Sequence, residues 1–298
     1  STLRGHPLRD QKKHKKLKSK MIPYVKTGLL ADAYLCSETG YERNFPKIGD
    51  AIDHLKSFKK LLIDYKNILA SREQNNLHTG SSRQYPKYFN RNFHFQTNGY
   101  TSEYSASLYD HQVDLLFAGM AAPMRRTLLE GMNNFKPKTI LEVGCGTGAG
   151  TDIVAKHFPQ GQITATDLSH EYISYAQKKR NISNVVFKQM DALEINESYD
   201  LIFHVFLLHE LPSKERRNTL KMQLKKLNPG GRGVFVESLQ LGDVDFLDEV
   251  LLDFPKYYHE PFYKHYIETP VETILKELGA KNIQVTKRLF SKMVSFSA

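Results

Sequence analysis

The second half of the chain alternates short apolar runs with amphipathic segments. The runs that read as strands cover 139–143, 162–166, 185–189, 199–206 and 233–238. The segments with helical spacing lie near 151–157, 169–180 and 214–227. Strands separated by helices require crossover connections, which build a mainly parallel sheet covered on both faces. The pattern therefore predicts a doubly wound α/β domain over 136–298.

Two further β-like runs, 282–289 and 292–296, lie close enough together to form a C-terminal hairpin and complete a seven-stranded sheet. An insert at 239–269 precedes them. After it, the run Thr269-Pro270-Val271-Glu272 has the form of a capping box with proline at the first helical position. Gly279 supplies the expected end of that helix.

The first 135 residues show helical spacing and no clear strand pattern. Apolar positions recur at three- and four-residue steps over 48–70 and again over 105–120. The stretch 75–82 between them is polar and contains a glycine, which is typical of a loop. We therefore expect 21–135 to be a mainly helical region that caps the active site as a lid.

The net charge of +10 is concentrated at the N-terminus, where residues 1–20 hold eight basic side chains and one acidic side chain. Such a run predicts a basic flexible tail, or the frayed start of a helix, whose charge serves solubility. The alternative is an arm that binds RNA or an acidic partner by neutralising phosphates. The rest of the chain is close to neutral, so charge alone does not identify a nucleic-acid-binding protein.

Composition excludes several other classes. An apolar fraction of 40% and a charged fraction of 25% are typical of a globular domain, and no stretch approaches the length of a membrane helix. Only two cysteines occur, Cys36 and Cys145, which argues against a disulfide framework and favours the cytoplasm. Histidines and cysteines are too scattered to predict a metal site.

The glycine turn after the first strand is the main candidate for ligand binding. The strand 139–143 ends on alternating glycines, Gly144, Gly146 and Gly148, and a helical segment follows. Glycines let a ligand approach the main chain, and the exposed amides beyond the turn suit a carboxylate. The same run satisfies the dinucleotide fingerprint G-x-G-x-x-A, so a hydride-transfer enzyme is an alternative at this point.

Five motifs in register distinguish the two cofactors. They are Ile140-Leu-Glu-Val-Gly-Cys-Gly-Thr-Gly148, Thr166-Asp-Leu-Ser169, Met190-Asp-Ala192, Tyr199-Asp-Leu-Ile-Phe203 with His209-Glu-Leu-Pro212, and Leu227-Asn-Pro-Gly-Gly231. In order and spacing they resemble the cofactor half of the class I S-adenosylmethionine-dependent methyltransferases. The resemblance implies methyl transfer from S-adenosylmethionine, with S-adenosylhomocysteine as product and without a metal.

The cofactor-binding residues follow from the motifs and the resemblance. They are Glu142, Gly144, Cys145, Gly146, Gly148, Asp167, Leu168, Asp191 and Ala192. Asp167 ends the second strand, where an acid can accept both ribose hydroxyls, or can instead cap the next helix with Ser169. The resemblance places Asp191 on the adenine amino group and Glu142 near the methionine amino group. The alternatives are a loop acid and a structural buried acid.

The sequence points to catalytic and substrate-binding residues less directly than to cofactor-binding residues. His209, Glu210 and Glu237 follow the fourth and fifth strands, where ligands of open sheets bind. The aromatic segment 85–109, with Tyr100 and Tyr104, is a candidate lid over the sulfonium. In the insert 239–269, Tyr258 and Tyr263 are further substrate candidates. Both segments are equally consistent with packed cores or interfaces, and the first with a surface that stacks unpaired bases.

The expected acceptor is a small organic molecule, because a helical cap and an insert together suit an enclosed pocket. An RNA or protein acceptor, reached through the basic tail, is the main alternative. A non-catalytic protein that keeps the fold to bind the cofactor is a further one. The oligomeric state, the methylated atom and the need for a base cannot be predicted from these residues.

Overall fold

The computed structural model describes residues 11–41, 85–90, 98–257 and 260–298. The helices are numbered in chain order within these ranges. They are α1 (Gln11–Thr39), α2 (Glu103–Leu116), α3 (Ala121–Arg126), α4 (Leu128–Met132), α5 (Ala149–His157), α6 (His170–Lys179), α7 (Ser213–Lys225), α8 (Asp248–Tyr257), α9 (Tyr263–Glu268) and α10 (Val271–Glu277). Short 3-10 turns occupy Leu208–Glu210 and Asp245–Leu247. The predicted helix at 48–70 lies outside the described residues.

The strands form one sheet. They are β1 (Thr139–Val143), β2 (Gln162–Asp167), β3 (Val185–Gln189), β4 (Tyr199–Val205), β5 (Leu227–Ser238), β6 (Lys281–Arg288) and β7 (Ser291–Ser297). Their order is β3-β2-β1-β4-β5-β7-β6. Strands β1 to β5 pair in parallel, and β7 is antiparallel to both β5 and β6. The predicted doubly wound sheet with a C-terminal hairpin is confirmed.

The core has one layer on each face of the sheet because successive strand residues point to opposite sides. In β1, Ile140 packs with Leu128 of α4 on one face, and Leu141 packs with Tyr266 of the insert on the other. All four side chains are fully buried. Apolar residues on both faces explain why the strands read as continuous apolar runs rather than alternating ones.

For its described part, the basic segment takes the second of its two expected forms, the start of a helix. Residues 11–20 belong to α1, so the second half of the basic segment is helical, while 1–10 lie outside the described residues. Lysine is a good helix former, and the helix is anchored further on by Leu35, which is buried against the core. Asp32 of α1 also accepts two hydrogen bonds from Arg126, at 2.8 and 2.7 Å. Residues 15–20 are the mainly exposed beginning of this docked helix.

Two strand and helix boundaries also differ from the prediction. Strand β5 starts at Leu227 rather than 233, because Leu227 pairs with Tyr199 before the chain bulges and pairing resumes at Arg232. The capping box at Thr269 does not form. Helix α10 starts at Val271, and the side chain of Gln240 accepts a hydrogen bond from its amide at 3.0 Å. Gly279, at φ +87°, follows the end of that helix as expected.

Candidate active site

A cleft lies at the carboxyl ends of the parallel strands, where open α/β sheets bind their ligands. Its floor is the turn after β1, and its sides come from the loops after β2, β3 and β4. Of the predicted cofactor residues, eight line this cleft. They are Glu142, Gly144, Cys145, Gly146, Asp167, Leu168, Asp191 and Ala192.

Gly146 and Gly148 have different roles in the turn although both have positive φ, at +54° and +77°. A Cβ atom on Gly146 would meet no heavy atom within 4 Å, so the backbone there is open to the cleft. A Cβ atom on Gly148 would lie 3.2 Å from the ring of Phe187. Gly148 does not line the cleft and lies against Phe187, and its assignment as a cofactor-binding residue stays a prediction.

The amides of the turn are mostly engaged within the protein. The amide of Cys145 donates to the carbonyl of Thr166 at 2.8 Å, and that of Gly148 donates to Cys145 at 2.9 Å. The amide of Gly146 donates to the carboxylate of Asp167 at 2.9 Å. These three amides are therefore used within the protein, and the carboxylate role of the amides beyond the turn stays a prediction.

Asp167 ends β2 and is held by backbone amides on both carboxylate oxygens. Besides the Gly146 amide, the amide of Ser169 donates to it at 2.8 Å. Burial raises the pKa of Asp167 to about 6, although these amide hydrogen bonds act to lower it. A carboxylate has about four acceptor positions, so these amides leave acceptor capacity for ligand hydroxyls. The cap of α6 is Ser169, whose hydroxyl accepts from the Tyr172 amide at 3.1 Å.

Asp191 lies in the loop after β3, next to Asp167 along the edge of the sheet. Its carboxylate accepts a hydrogen bond from the Leu193 amide at 2.8 Å, which orders the loop. The amide of Met190 donates to the carbonyl of Asp167 at 3.0 Å and joins the two loops. Both acids therefore face one cleft from adjacent strands.

Glu142 is buried in β1, with 1% of its surface exposed. Its carboxylate accepts a hydrogen bond from the hydroxyl of Thr151 on α5. Burial raises the pKa of Glu142 to about 8, while the Thr151 hydrogen bond acts to lower it. A Cβ atom on Gly150 would lie 2.7 Å from a Glu142 oxygen, so a glycine is required where α5 passes the acid. Burial therefore favours the protonated, neutral form of Glu142.

The three catalytic candidates separate into one residue that lines the cleft and two that do not. Glu210 lines the cleft, and its carboxylate accepts a hydrogen bond from the Tyr100 hydroxyl at 2.6 Å. His209 and Glu237 lie behind the cleft wall and contact each other at 2.8 Å. The structure therefore does not place His209 or Glu237 where a reacting atom of the acceptor would lie.

Glu237 has a structural explanation. It is fully buried at the end of β5. Its carboxylate accepts hydrogen bonds from the amides of Leu207 and Leu208 at 2.6 and 2.5 Å. Burial alone would raise the pKa of Glu237, but His209 and His204 beside it hold the value well below the ordinary range. Glu237 thus fixes the turn after β4, including the segment that carries Glu210.

His209 is surrounded by carboxylates. Its Nδ1 contacts Glu237, and its Nε2 lies 3.8 Å from Glu260 and 3.9 Å from Glu210. Burial alone would lower the pKa of His209, but these carboxylates raise it to about 9. The surrounding carboxylates therefore favour the protonated imidazole, which is a poor proton acceptor.

Known proteins match the same part of the chain. Residues 140–231 match the methyltransferase domain family. A malonyl-[acyl-carrier protein] O-methyltransferase of Bacillus cereus is 37% identical over 92 residues, which cover 29% of this chain and 34% of that protein. A fatty-acid O-methyltransferase of Mycolicibacterium smegmatis is 28% identical over 122 residues, covering 40% of this chain and 43% of that one.

Solved structures share the fold. Human N-acetylserotonin methyltransferase in complex with S-adenosylmethionine superposes with a TM-score of 0.53 at 17% identity, over 66% of this chain and 56% of that one. PigF with S-adenosylhomocysteine gives a TM-score of 0.55 at 14% identity, over 78% and 70% of the two chains. The chain therefore has the fold of these methyltransferases, and residues 140–231 match a methyltransferase domain. It spans well under half the length of the two curated relatives, 34% and 43%.

The substrate candidates of the methyltransferase domain are dispersed. Tyr100 lines the cleft. Tyr104 does not line it, and 40% of its surface is exposed on α2. Tyr263 is buried in the insert, and its hydroxyl lies 2.7 Å from that of Ser238, so it is a core residue. Tyr258 lies outside the described residues.

Several residues of the methyltransferase cleft were not individually predicted. Tyr100 belongs to a wall of aromatic side chains that lines the cleft. The other members of this aromatic wall are Tyr88, Phe89, Tyr109, Tyr172 and Phe206. The aromatic density of 85–109 indicated the first part of this wall, whereas Tyr172 and Phe206 come from other elements. Arg125 of α3 also lines the cleft, and no motif pointed to it.

Two features are absent from the described ranges. No group of three or more histidine, cysteine, aspartate or glutamate side chains in them is arranged to hold a metal ion. Within the same ranges, every helix is too short or too polar to span a bilayer.

Proposed function

We propose that this chain transfers a methyl group from S-adenosylmethionine to a small organic acceptor. The observation that carries the proposal is the arrangement of acids along one cleft. Asp191 follows β3, Asp167 ends β2, and Glu142 lies in β1 beneath the glycine turn. These strands are neighbours in the order β3-β2-β1, so the acids face successive parts of one extended ligand.

The residues fit the cofactor on their own chemistry. We assign the adenine to the loop of Asp191, the ribose hydroxyls to the open acceptor positions of Asp167, and the methionine part to the turn near Glu142. The open backbone at Gly146 allows the ligand to lie directly against the main chain. When bound, S-adenosylmethionine supplies an electrophilic methyl group on a positively charged sulfur.

The aromatic wall would stabilise the positive charge of the sulfonium and exclude water from the cleft. Tyr100, Tyr109 and Tyr172 contact one another edge to face, with ring centroids 5.4 to 6.0 Å apart. Aromatic faces attract a sulfonium by cation–π interaction and exclude water from the cleft. Because methyl transfer is an in-line displacement, holding the acceptor in line supplies much of the rate.

An acyl carboxylate is the acceptor we propose to test first. The two curated relatives are named for O-methylation of malonyl-[acyl-carrier protein] and of a fatty acid. A carboxylic acid is already ionised at pH 7 and needs no base. This agrees with the positions of His209 and Glu237 behind the cleft wall.

The proposal is tested by supplying tritiated-methyl S-adenosylmethionine with fractionated cell extract. We expect the label in organic-extractable small molecules with the wild-type chain, and a large loss with the Asp167→Ala variant. Label in the RNA or protein fraction would replace the small acceptor by a macromolecular one. Cofactor binding without transfer to any fraction would instead indicate a non-catalytic cofactor-binding protein.

A further inference from the structure

Arg125 is a nearly buried cation in the cleft. It lies on α3, and 9% of its surface is exposed. Within the described ranges, its guanidinium makes no hydrogen bond or ion pair with another residue. None of its nitrogens is a fully buried unpaired atom, so the guanidinium is reached from the cleft, where an anion can bind it.

The neighbouring Arg126 shows how this helix satisfies an arginine that serves the fold. Its guanidinium donates to both carboxylate oxygens of Asp32 on α1. The two side chains are adjacent in sequence and similarly buried, yet one is paired and the other is not. Arg125 therefore has no role in the described core that matches the role of Arg126.

The charges that line the cleft limit the identity of the anion. Arg125 is the one basic side chain among the described lining residues, against five acidic ones, Glu142, Asp167, Asp191, Glu210 and Glu215. S-adenosylmethionine carries two positive groups, its sulfonium and its ammonium, and a single carboxylate. The acids suit the hydroxyls and the positive groups, and the single arginine matches the single carboxylate.

Arg125 lies on the side of the cleft to which we assign the methionine part of the cofactor. Helix α3 contacts α5, which begins at the glycine turn. Burial is the largest influence on the pKa of Glu142, and the positive charge of Arg125 acts against it, as expected for two groups in one part of the cleft.

Five nearby donors are already engaged within the protein. The amides of Cys145, Gly146 and Gly148 bond within the protein. The hydroxyl of Thr147 donates to Asp110, and that of Thr151 donates to Glu142. We propose that Arg125 binds the carboxylate of the cofactor's methionine moiety by a charge-assisted hydrogen bond, an inference that rests on the proposed function.

The test crosses two ligands with two proteins. The ligands are S-adenosylhomocysteine and S-adenosyl-3-thiopropylamine, which lacks only the carboxylate. Calorimetric titration should show that Arg125→Met binds S-adenosylhomocysteine about 10- to 100-fold more weakly than wild type, as expected for the loss of a charged pair. Affinity for the amine should stay within about twofold or improve, because the variant removes a like charge.

Two further variants provide controls. Arg126→Met removes the bond to Asp32 and should lower the melting temperature without changing affinity for S-adenosylhomocysteine. Arg125→Lys keeps the charge but loses the planar fork, and we expect intermediate affinity. Circular dichroism of each variant before titration establishes that the compared proteins are folded.

Equal weakening of both ligands by Arg125→Met would overturn the inference, since a structural role affects both. Unchanged affinity for S-adenosylhomocysteine would also overturn it and would leave the arginine to a carboxylate of the acceptor. A folded wild-type chain that binds neither ligand would overturn the proposed function itself, and the inference with it.

Discussion

At the residue scale, Asp167 connects the glycine turn to the ligand. One carboxylate oxygen accepts a hydrogen bond from the Gly146 amide, and the other accepts one from the Ser169 amide. The sequence predicted an acid at the end of β2 that accepts ribose hydroxyls or caps a helix. The cap proves to be Ser169, which leaves the ribose role of Asp167 as a prediction with a clear geometry behind it.

The pKa of Asp167 predicts how cofactor binding depends on pH. Burial raises this pKa to about 6, and only the ionised carboxylate accepts two hydroxyl hydrogen bonds. Affinity for S-adenosylhomocysteine should be constant above about pH 7 and fall below about pH 6. Asp167→Ala should lose about 1–3 kcal/mol of binding free energy at pH 7.5 and show no such fall. Calorimetry from pH 5 to 8 measures both, and an unchanged affinity would remove Asp167 from the ribose role.

Glu142 makes stability depend on pH in the opposite sense to an ordinary paired carboxylate. Its folded pKa of about 8 lies above the unfolded value of about 4.3, so the folded state keeps a proton that the unfolded state releases. The contribution of Glu142 to stability therefore falls as pH rises from about 4 to 8. Glutamine does not titrate and can still accept from Thr151.

We accordingly expect wild type to lose stability relative to Glu142→Gln as pH rises from 5 to 8, both measured as urea midpoints without ligand. Parallel curves for the two proteins would show that Glu142 is already ionised in the fold. The expected loss of S-adenosylhomocysteine affinity in the variant would separate a ligand role from a purely structural one.

At the scale of elements, the turn between β1 and α5 gives two glycines different roles that the spacing alone cannot reveal. The run of alternating glycines predicted a ligand turn, and eight of the nine assigned cofactor residues do line the cleft. Gly148 is the exception, because its contact with Phe187 depends on how α5 packs against β3, which is tertiary information.

The two glycines can be separated by matched alanine variants. Both positions have positive φ, so each alanine costs about 1 kcal/mol of backbone strain. Gly148→Ala must also displace the Phe187 ring and should lower stability further, by about 1–3 kcal/mol. Gly146→Ala should cost less stability but lose most affinity for S-adenosylhomocysteine. Urea unfolding and calorimetry on both variants test this, and equal stability losses would contradict it.

The catalytic candidates show where reasoning from strand ends fails. His209, Glu210 and Glu237 all follow strands at the correct edge, yet only Glu210 faces the cleft. The direction of His209 is set by Glu237 and by the packing of the insert, and neither is encoded in local spacing. The same packing holds Tyr263 outside the cleft. There its ring contacts the His209 ring edge to face, with the two ring centroids 6.0 Å apart.

At the scale of the whole molecule, the seven-stranded order could be predicted because periodicity and crossover rules leave few topologies. The contacts between distant parts could not. Lys292 of β7 is almost fully buried and pairs with Glu272 of α10 at 2.9 Å and with Asp243 of the insert at 3.1 Å. Such a pair depends on the complete fold, as does the docking of α1 through Asp32.

The central claim is that this cleft is built for a methyl donor and not for a dinucleotide. Calorimetric titration of the full chain with S-adenosylhomocysteine, and separately with NADH, tests it most directly. The account predicts saturable one-to-one binding of S-adenosylhomocysteine, no binding of NADH, and a large loss of affinity in Asp167→Ala. A folded chain that binds NADH and not S-adenosylhomocysteine would contradict it.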